Sequence, residues 1–246
     1  MVEAANAMNE RAPDQPRPVV IEPNVNRYAE GSALIRQGHT HVLCTASVIE
    51  RQPPHLRGTE AGWITAEYGM LPRATHTRGE REAVRGKQKG RTQEIQRLIG
   101  RALRAAVDLE ALGPRTIQLD CDVLQADGGT RCAAITAGWV ALALAIERLR
   151  KEGAIAKNPL RAQVAAISCG IVDGTPMLDL DYELDARAEL DANFVMTPTG
   201  RIVELQLASE SHPVAWAQIE RLRALAKKGI AALAAAQIDA LARASS

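Results

Sequence analysis

The sequence predicts an α+β fold, one domain of mixed β-sheets packed with α-helices, on three observations. Apolar, β-branched runs bounded by turn residues gather before Tyr68 and again after Gln163. Two segments of helical period lie between Ile95 and Arg150, and an Ala-rich amphipathic segment closes the chain. Strands, helices, further strands and a final helix exclude a doubly wound sheet, in which strands and helices alternate throughout. At 246 residues the chain can bury a sizeable core. With 46% hydrophobic and 24% charged residues, it has the composition of a soluble globular protein. Residues 1–15 are polar and expected to be mobile, leaving 16–246 as the folded domain.

The elements follow in order. Pro18-Val-Val-Ile reads as a first strand, and Ser32–Ile35 with His41–Val48 as a hairpin turning near Gln37-Gly38. Trp63–Tyr68 is a short strand. The stretch from Arg73 to Arg91 is a loop by its charge and by Gly79, Gly86 and Gly90. Ile95, Leu98, Ile99, Ala102, Ala106 and Leu109 share one helix face, and Gly113-Pro114 is expected to end that helix. Arg115–Gln125 alternates as a strand. Thr130–Arg150 is a helix apolar on most sides, hence buried. Strand-like runs follow at Val164–Val172 and Met177–Tyr182, with another beginning at Leu190. A hairpin turns at Thr199-Gly200, and the last helix spans about Pro213–Arg243.

Composition narrows the function. The N-terminus lacks a secretory leader's apolar run, and no uninterrupted run of eighteen apolar residues suggests a membrane span, so a cytoplasmic protein without membrane contact is expected. Cys44, Cys121, Cys132 and Cys169 form no C-x-x-C pair and read as buried free thiols. The five histidines show no H-E-x-x-H spacing, and no G-x-S-x-G elbow is present. Without a protein nucleophile, an enzyme must import one, and phosphate or water are the candidates. Aromatics make up only 3%, which argues against a nucleic-acid site of stacked rings.

The net charge of +1 hides a segregation. Seven Lys/Arg lie between Arg73 and Arg91 against Glu80 and Glu82, and seven Asp/Glu between Asp173 and Asp191 against Arg187. A basic arm and an acidic segment in one neutral chain suggest a polyanion held beside carboxylates; two solvated surface loops are the alternative. Both central helices open on an anion-binding pattern, Gly90-Arg91-Thr92 and Gly128-Gly129-Thr130-Arg131. Glycine admits an anion to the unpaired N–H groups of a helix start, and arginine adds a planar fork for phosphate oxygens. In the acidic segment, Asp179 and Asp181 are expected on one face of a strand, Asp185 near a turn and Asp191 at the next strand. Carboxylates gathered there could hold Mg²⁺, or one could protonate a leaving oxygen.

Long motifs carry a family resemblance. Gly62-Trp-Ile-Thr-Ala-Glu-Tyr68 with Met70-Leu-Pro-Arg-Ala-Thr75, Gly90-Arg-Thr-Gln-Glu-Ile-Gln-Arg-Leu-Ile-Gly-Arg101 and Asp120-Cys-Asp-Val-Leu-Gln-Ala-Asp-Gly-Gly-Thr-Arg131 resemble the ribonuclease PH family. Arg17-Pro18, Leu56-Arg57-Gly58 and Leu178-Asp-Leu-Asp-Tyr182 extend the likeness over nearly the whole chain. The resemblance implies a ribosomal-protein-like β-α-β core and a homo-hexamer built as a trimer of dimers. It also implies phosphorolytic 3′→5′ trimming of tRNA precursors, with inorganic phosphate as co-substrate. By position, Arg91, Gly129, Thr130 and Arg131 match its phosphate-binding residues. Asp185 and Asp191 fit its catalytic and Mg²⁺-holding carboxylates, and Arg73, Arg78, Arg81 and Arg85 match the arm that grips RNA. Three places depart from the pattern: Asn9-Glu10-Arg11, Cys132, and Leu207-Ala208-Ser209-Glu210 where a glycine usually follows Gln206. The Leu207 change could alter a turn or a subunit contact. A hydrolytic exoribonuclease and a silent RNA-binding ring subunit remain as rival readings.

Overall fold

The computed structural model describes residues 11–209 and 212–245. Five strands form the first sheet: β1 (Val19–Pro23), β2 (Gly31–Gln37), β3 (Thr40–Ile49), β4 (Trp63–Met70) and β5 (Thr116–Gln125), in the order β1-β2-β3-β5-β4. All its pairs are antiparallel except β4 with β5. That parallel pair needs a crossover, and α1 (Gly90–Arg104) and α2 (Leu109–Leu112) supply it. The second sheet is antiparallel, ordered β7-β6-β8-β9, from β6 (Ala165–Val172), β7 (Thr175–Leu178), β8 (Leu190–Met196) and β9 (Ile202–Ser209).

One helix joins the two sheets. α3 (Thr130–Lys151) packs on β2 and β3 from one side and on β6 from the other. Its residues from Cys132 to Ala143 are buried without a break, as a helix between two layers requires. By length and composition α3 could cross a membrane, which corrects the expectation of no such segment. Within the fold, 83% of its most apolar window is already buried by protein. The closing helix α5 (Trp216–Ala244) covers the other face of the second sheet, where Phe194, Ile167 and Leu178 meet Leu222, Ala226 and Ile230. It starts three residues later than expected.

Two boundaries differ from the sequence reading. The first central helix ends at Arg104, well before Gly113-Pro114, because Asp108 starts a new one: its carboxylate accepts from the N–H groups of Glu110 and Ala111, both at 3.2 Å. Leu109 therefore belongs to α2. The strand expected over Met177–Tyr182 stops at Leu178. Asp179 takes a left-handed backbone (φ 59°), and Asp181 caps a short helix, α4 (Tyr182–Arg187), accepting from Leu184 N at 3.0 Å. Asp179 and Asp181 thus share no strand face.

Of the segment expected to be mobile, residues 1–10 lie outside the described residues. Arg11 donates to Leu178 O at 3.1 Å and to Asp179 O at 2.8 Å, and Pro13 O accepts from Leu178 N. Leu207 lies within β9 opposite Ala192, so the strand runs through the position where a glycine was expected. Asn9, Glu10 and Glu210 lie outside the described residues.

Candidate active site at the start of the central helices

Four chain segments meet where α1 and α3 begin. Gly128 (φ 70°) and Gly129 (φ 66°) both occupy the left-handed region, which glycine enters without steric cost. A Cβ on Gly128 would lie 2.6 Å from Leu180 O and from the carbonyl carbon of Asp181, so the turn also needs glycine for contact. This turn opens α3, whose first N–H groups have no partner within the helix, with Thr130 and Arg131 in its opening turn. Arg91 occupies the corresponding place in α1 and is exposed.

The side chains converge. Tyr68, buried at the end of β4, shares a hydrogen bond with Thr130 through their hydroxyls at 2.8 Å. Burial raises the Tyr68 phenol above its ordinary range, against the pull of nearby Arg91 and Arg131. Arg131 Nη1 donates to Gln206 Oε1 at 2.9 Å and lies 3.7 Å from Glu94 Oε1. Asp185, on α4, feels the charge of the same two arginines. Partial burial raises its carboxyl, Arg91 and Arg131 pull it down, and Asp181 pushes it up. The phosphate-site arginines predicted from sequence and the predicted acid therefore share one electrostatic neighbourhood.

The four aspartates now separate by environment. Asp179 is 1% exposed and committed to Arg17, whose Nη2 donates to its Oδ1 at 2.7 Å. Asp181 caps α4 and lies 3.5 Å from the Arg11 guanidinium. Asp191 is half-buried in β8, between Gly170 and Ala208 in register. It shares a strand face with Asn193, whose side-chain oxygen accepts from Cys132 Sγ at 3.2 Å, one residue past Arg131. Burial pushes the Cys132 thiol up to about 12, which makes it an inert packing group despite its position. Among the described residues, no group of three or more His, Cys, Asp or Glu forms a ready metal site.

The basic stretch is a loop interrupted by a 3-10 turn at Glu82–Arg85. Glu82 folds it onto α1, accepting from Thr92 Oγ1 at 2.9 Å and from Lys89 N at 3.3 Å. A cavity of about 660 Å³ opens beneath it, lined among others by Tyr68, Arg81, Lys87, Lys89, Arg91 and Asp122. Arg81 and Arg91 thus line one cavity. Arg73 and Arg78 are exposed on the loop away from it, and Arg85 ends the 3-10 turn.

Tyr68, Gln206 and Asn193 carried no role in the sequence reading. Tyr68 had a signal: it ends the buried alternation Ile64, Ala66, Tyr68 at the mouth of the β4–α1 crossover. Gln206 and Asn193 had none, because only the β8–β9 register brings them beside α3.

Comparison with known proteins agrees with this fold. Residues 15–146 match the model for domain 1 of the 3′ exoribonuclease family, and residues 162–229 that for its domain 2. The division falls between the two sheets. A curated relative from Caulobacter vibrioides (strain NA1000 / CB15N), Ribonuclease PH, is 62% identical across 95% of this chain and 98% of its own. Ribonuclease PH of Maricaulis maris is 61% identical over 94% and 97%. Among solved structures, the exosome of Archaeoglobus fulgidus with RNA bound in its active site superposes with a TM-score of 0.75, at 21% identity over 92% of this chain and 90% of that one. Rice (Oryza sativa) Rrp46 gives 0.71, also at 21% identity, over 94% and 96%. The chain belongs to the 3′ exoribonuclease family, within its ribonuclease PH group.

Proposed function

We propose that the protein is a phosphorolytic 3′→5′ exoribonuclease that trims tRNA precursors, with Arg91, Gly129, Thr130 and Arg131 holding the attacking phosphate. The observation that carries this is the meeting of two helix starts, each with its arginine, beside Asp185. A phosphate oxygen attacks the terminal phosphorus, the bond to the preceding ribose O3′ breaks, and a nucleoside 5′-diphosphate leaves. The departing O3′ takes its proton from Asp185. Run in reverse, the same site adds nucleotides to a 3′ end. Because several negative charges meet, positioning and charge neutralisation dominate the catalysis.

Asp191 fits Mg²⁺, a hard cation commonly held by one or two carboxylates together with substrate phosphates, and Asp185 would join it as a ligand once its proton has passed to O3′. When bound, it would offset charge at the scissile phosphate. Around it the chain's own groups act. Thr130, fixed by the Tyr68 hydroxyl, and the N–H groups of α3 receive phosphate oxygens, while Arg91 and Arg131 orient them. Arg73, Arg78, Arg81 and Arg85 supply positive charge for the RNA body. The ribonuclease PH resemblance implies a homo-hexamer, a trimer of dimers, in which several such arms surround one RNA.

The test is a product assay on tRNA bearing extra 3′ nucleotides, with phosphate varied. Phosphate-dependent release of diphosphates, lost in Arg91→Ala and Arg131→Ala variants that remain folded, is expected. Monophosphate release without phosphate would establish hydrolysis instead. Light scattering that finds a fully active monomer would refute the ring.

A further inference from the structure

Arg17 lies outside every residue assigned above, yet it is among the most buried side chains of the protein, 2% exposed. Its backbone N–H and Nε donate to Asp179 Oδ2 at 2.8 and 3.0 Å, and Nη2 to Asp179 Oδ1 at 2.7 Å. Nη1 donates to Asp127 O, in the turn that opens α3. Gln37 Nε2 completes the pair with a bond to Asp179 Oδ1 at 2.8 Å. A Cβ at Gly38 would lie 2.7 Å from Arg17 Cδ, so the β2–β3 turn also closes on this side chain.

Asp127 has its polar groups engaged. Its N–H donates to Thr40 Oγ1 at 3.0 Å, its carbonyl accepts from Arg17, and its carboxylate accepts from Tyr182 N at 3.3 Å. Thr40 in turn donates to Gly128 O at 2.6 Å. Tyr182 is the first residue of α4, the helix that bears Asp185. The phosphate turn and the acid-bearing helix, more than fifty residues apart in sequence, are thus packed as one body with Arg17–Asp179 at its centre.

We propose that Arg17 is a positioning residue for phosphorolysis, a buried fork that fixes the distance between the phosphate turn and the acid on α4. It rests on the assignment of those two elements made above. A buried ion pair is a poor route to stability, since desolvation offsets the attraction and an apolar pair of equal size often serves as well. What the fork supplies is direction: bonds to two separate segments that must agree in position. Attack by phosphate and departure of the ribose oxygen occur on opposite sides of one phosphorus atom, so the spacing of these segments governs the rate. Misplacement by about 1 Å can cost on the order of a hundredfold.

The test is steady-state phosphorolysis by Arg17→Lys, which keeps the charge and loses the fork, with RNA binding and thermal melting followed in parallel. The expected result is kcat lowered at least about tenfold and KM for phosphate raised several-fold, with RNA affinity unchanged. A lower melting temperature with kcat and KM of the folded enzyme unchanged would overturn the proposal. If Arg17→Lys fails to fold, Tyr182→Pro decides. Proline suits the first helical position, and Asp181 before it is already extended (φ −78°, ψ 179°), so this variant removes chiefly the N–H bond to Asp127. Compared with Tyr182→Ala, it is expected to lower kcat several-fold, and equal kinetics for the two would overturn the proposal. Arg91→Ala run alongside separates the two levels. Loss of phosphate use there with normal Arg17→Lys kinetics sinks only the positioning role, whereas normal phosphate use in Arg91→Ala sinks the site assignment.

Discussion

The Arg131 guanidinium donates to the side-chain oxygen of Gln206 at 2.9 Å, tying the first turn of α3 to the edge strand of the second sheet. Gln206 Nε2 points the other way, to Glu94 Oε1 at 3.3 Å, so one amide steers an arginine from α3 and a carboxylate from α1. Removing that acceptor leaves Arg131 free to swing away from phosphate. Gln206→Leu is expected to raise KM for phosphate about three- to tenfold, the value of one hydrogen bond, with a smaller change in kcat. Gln206→Glu places a carboxylate against the arginine and is expected to raise KM further. Initial rates at saturating RNA with phosphate varied decide both.

Asp185, on α4, feels the charge of Arg91 and Arg131, whereas Asp191 lies on β8. The two carboxylates are therefore expected to fail differently. Asp185→Asn cannot give up a proton, and a drop in kcat of about a hundredfold or more is expected with RNA binding retained. Asp191→Asn is expected to shift the divalent-cation concentration for half-maximal activity upward. Titrating the cation in both variants distinguishes them, and identical cation curves would remove Asp191 from the metal site.

Much of this was legible because it is local. The Gly-Gly-Thr-Arg and Gly-Arg-Thr turns mark the starts of α3 and α1, and alternation and helical period found the strands and the buried α3. The errors fell where tertiary packing overrides local pattern. Met177–Tyr182 reads as a strand until Arg17, from the far end of the chain, draws Asp179 into a left-handed conformation. Leu109 fits the α1 face, but the Asp108 side chain takes the backbone N–H groups and starts another helix. Among four aspartates of like local context, only the fold gives Asp179 its Arg17 partner and Asp181 its place at the start of α4.

The basic loop makes a separate prediction, because its arginines meet RNA as charge. Arg78 and Arg81 are exposed on it, and Arg81 alone of the two lines the cavity beside Arg91. The double variant Arg78→Ala, Arg81→Ala is expected to weaken tRNA binding and to reduce the slope of log affinity against log salt by about two, one for each phosphate no longer neutralised. Turnover of a short oligonucleotide at saturation should change little. Binding isotherms across a salt series measure the slope, and an unchanged slope would place the RNA elsewhere.

The Arg17–Asp179 pair also sets how the fold responds to acid. Burial disfavours the charged Asp179 carboxylate, but the hydrogen bonds and charge of Arg17, with the Gln37 amide, outweigh it and hold the carboxyl below its ordinary value of 3.8. The folded protein therefore binds this proton less readily than the unfolded chain does. Its contribution to stability is complete above pH 3.8 and is lost as pH falls through the lower folded value. Asp179→Asn leaves the Arg17 charge buried without its partner, at an expected cost of about 3–5 kcal/mol near neutral pH. Below pH 3.8 the Asp179 carboxyl of the unfolded wild-type chain begins to protonate while the folded one stays charged, and the gap between the two proteins should narrow. Urea unfolding of both from about pH 7 to about pH 3 measures that gap, and one that stays constant across the range would show that Asp179 binds its proton equally well in the folded and unfolded chain.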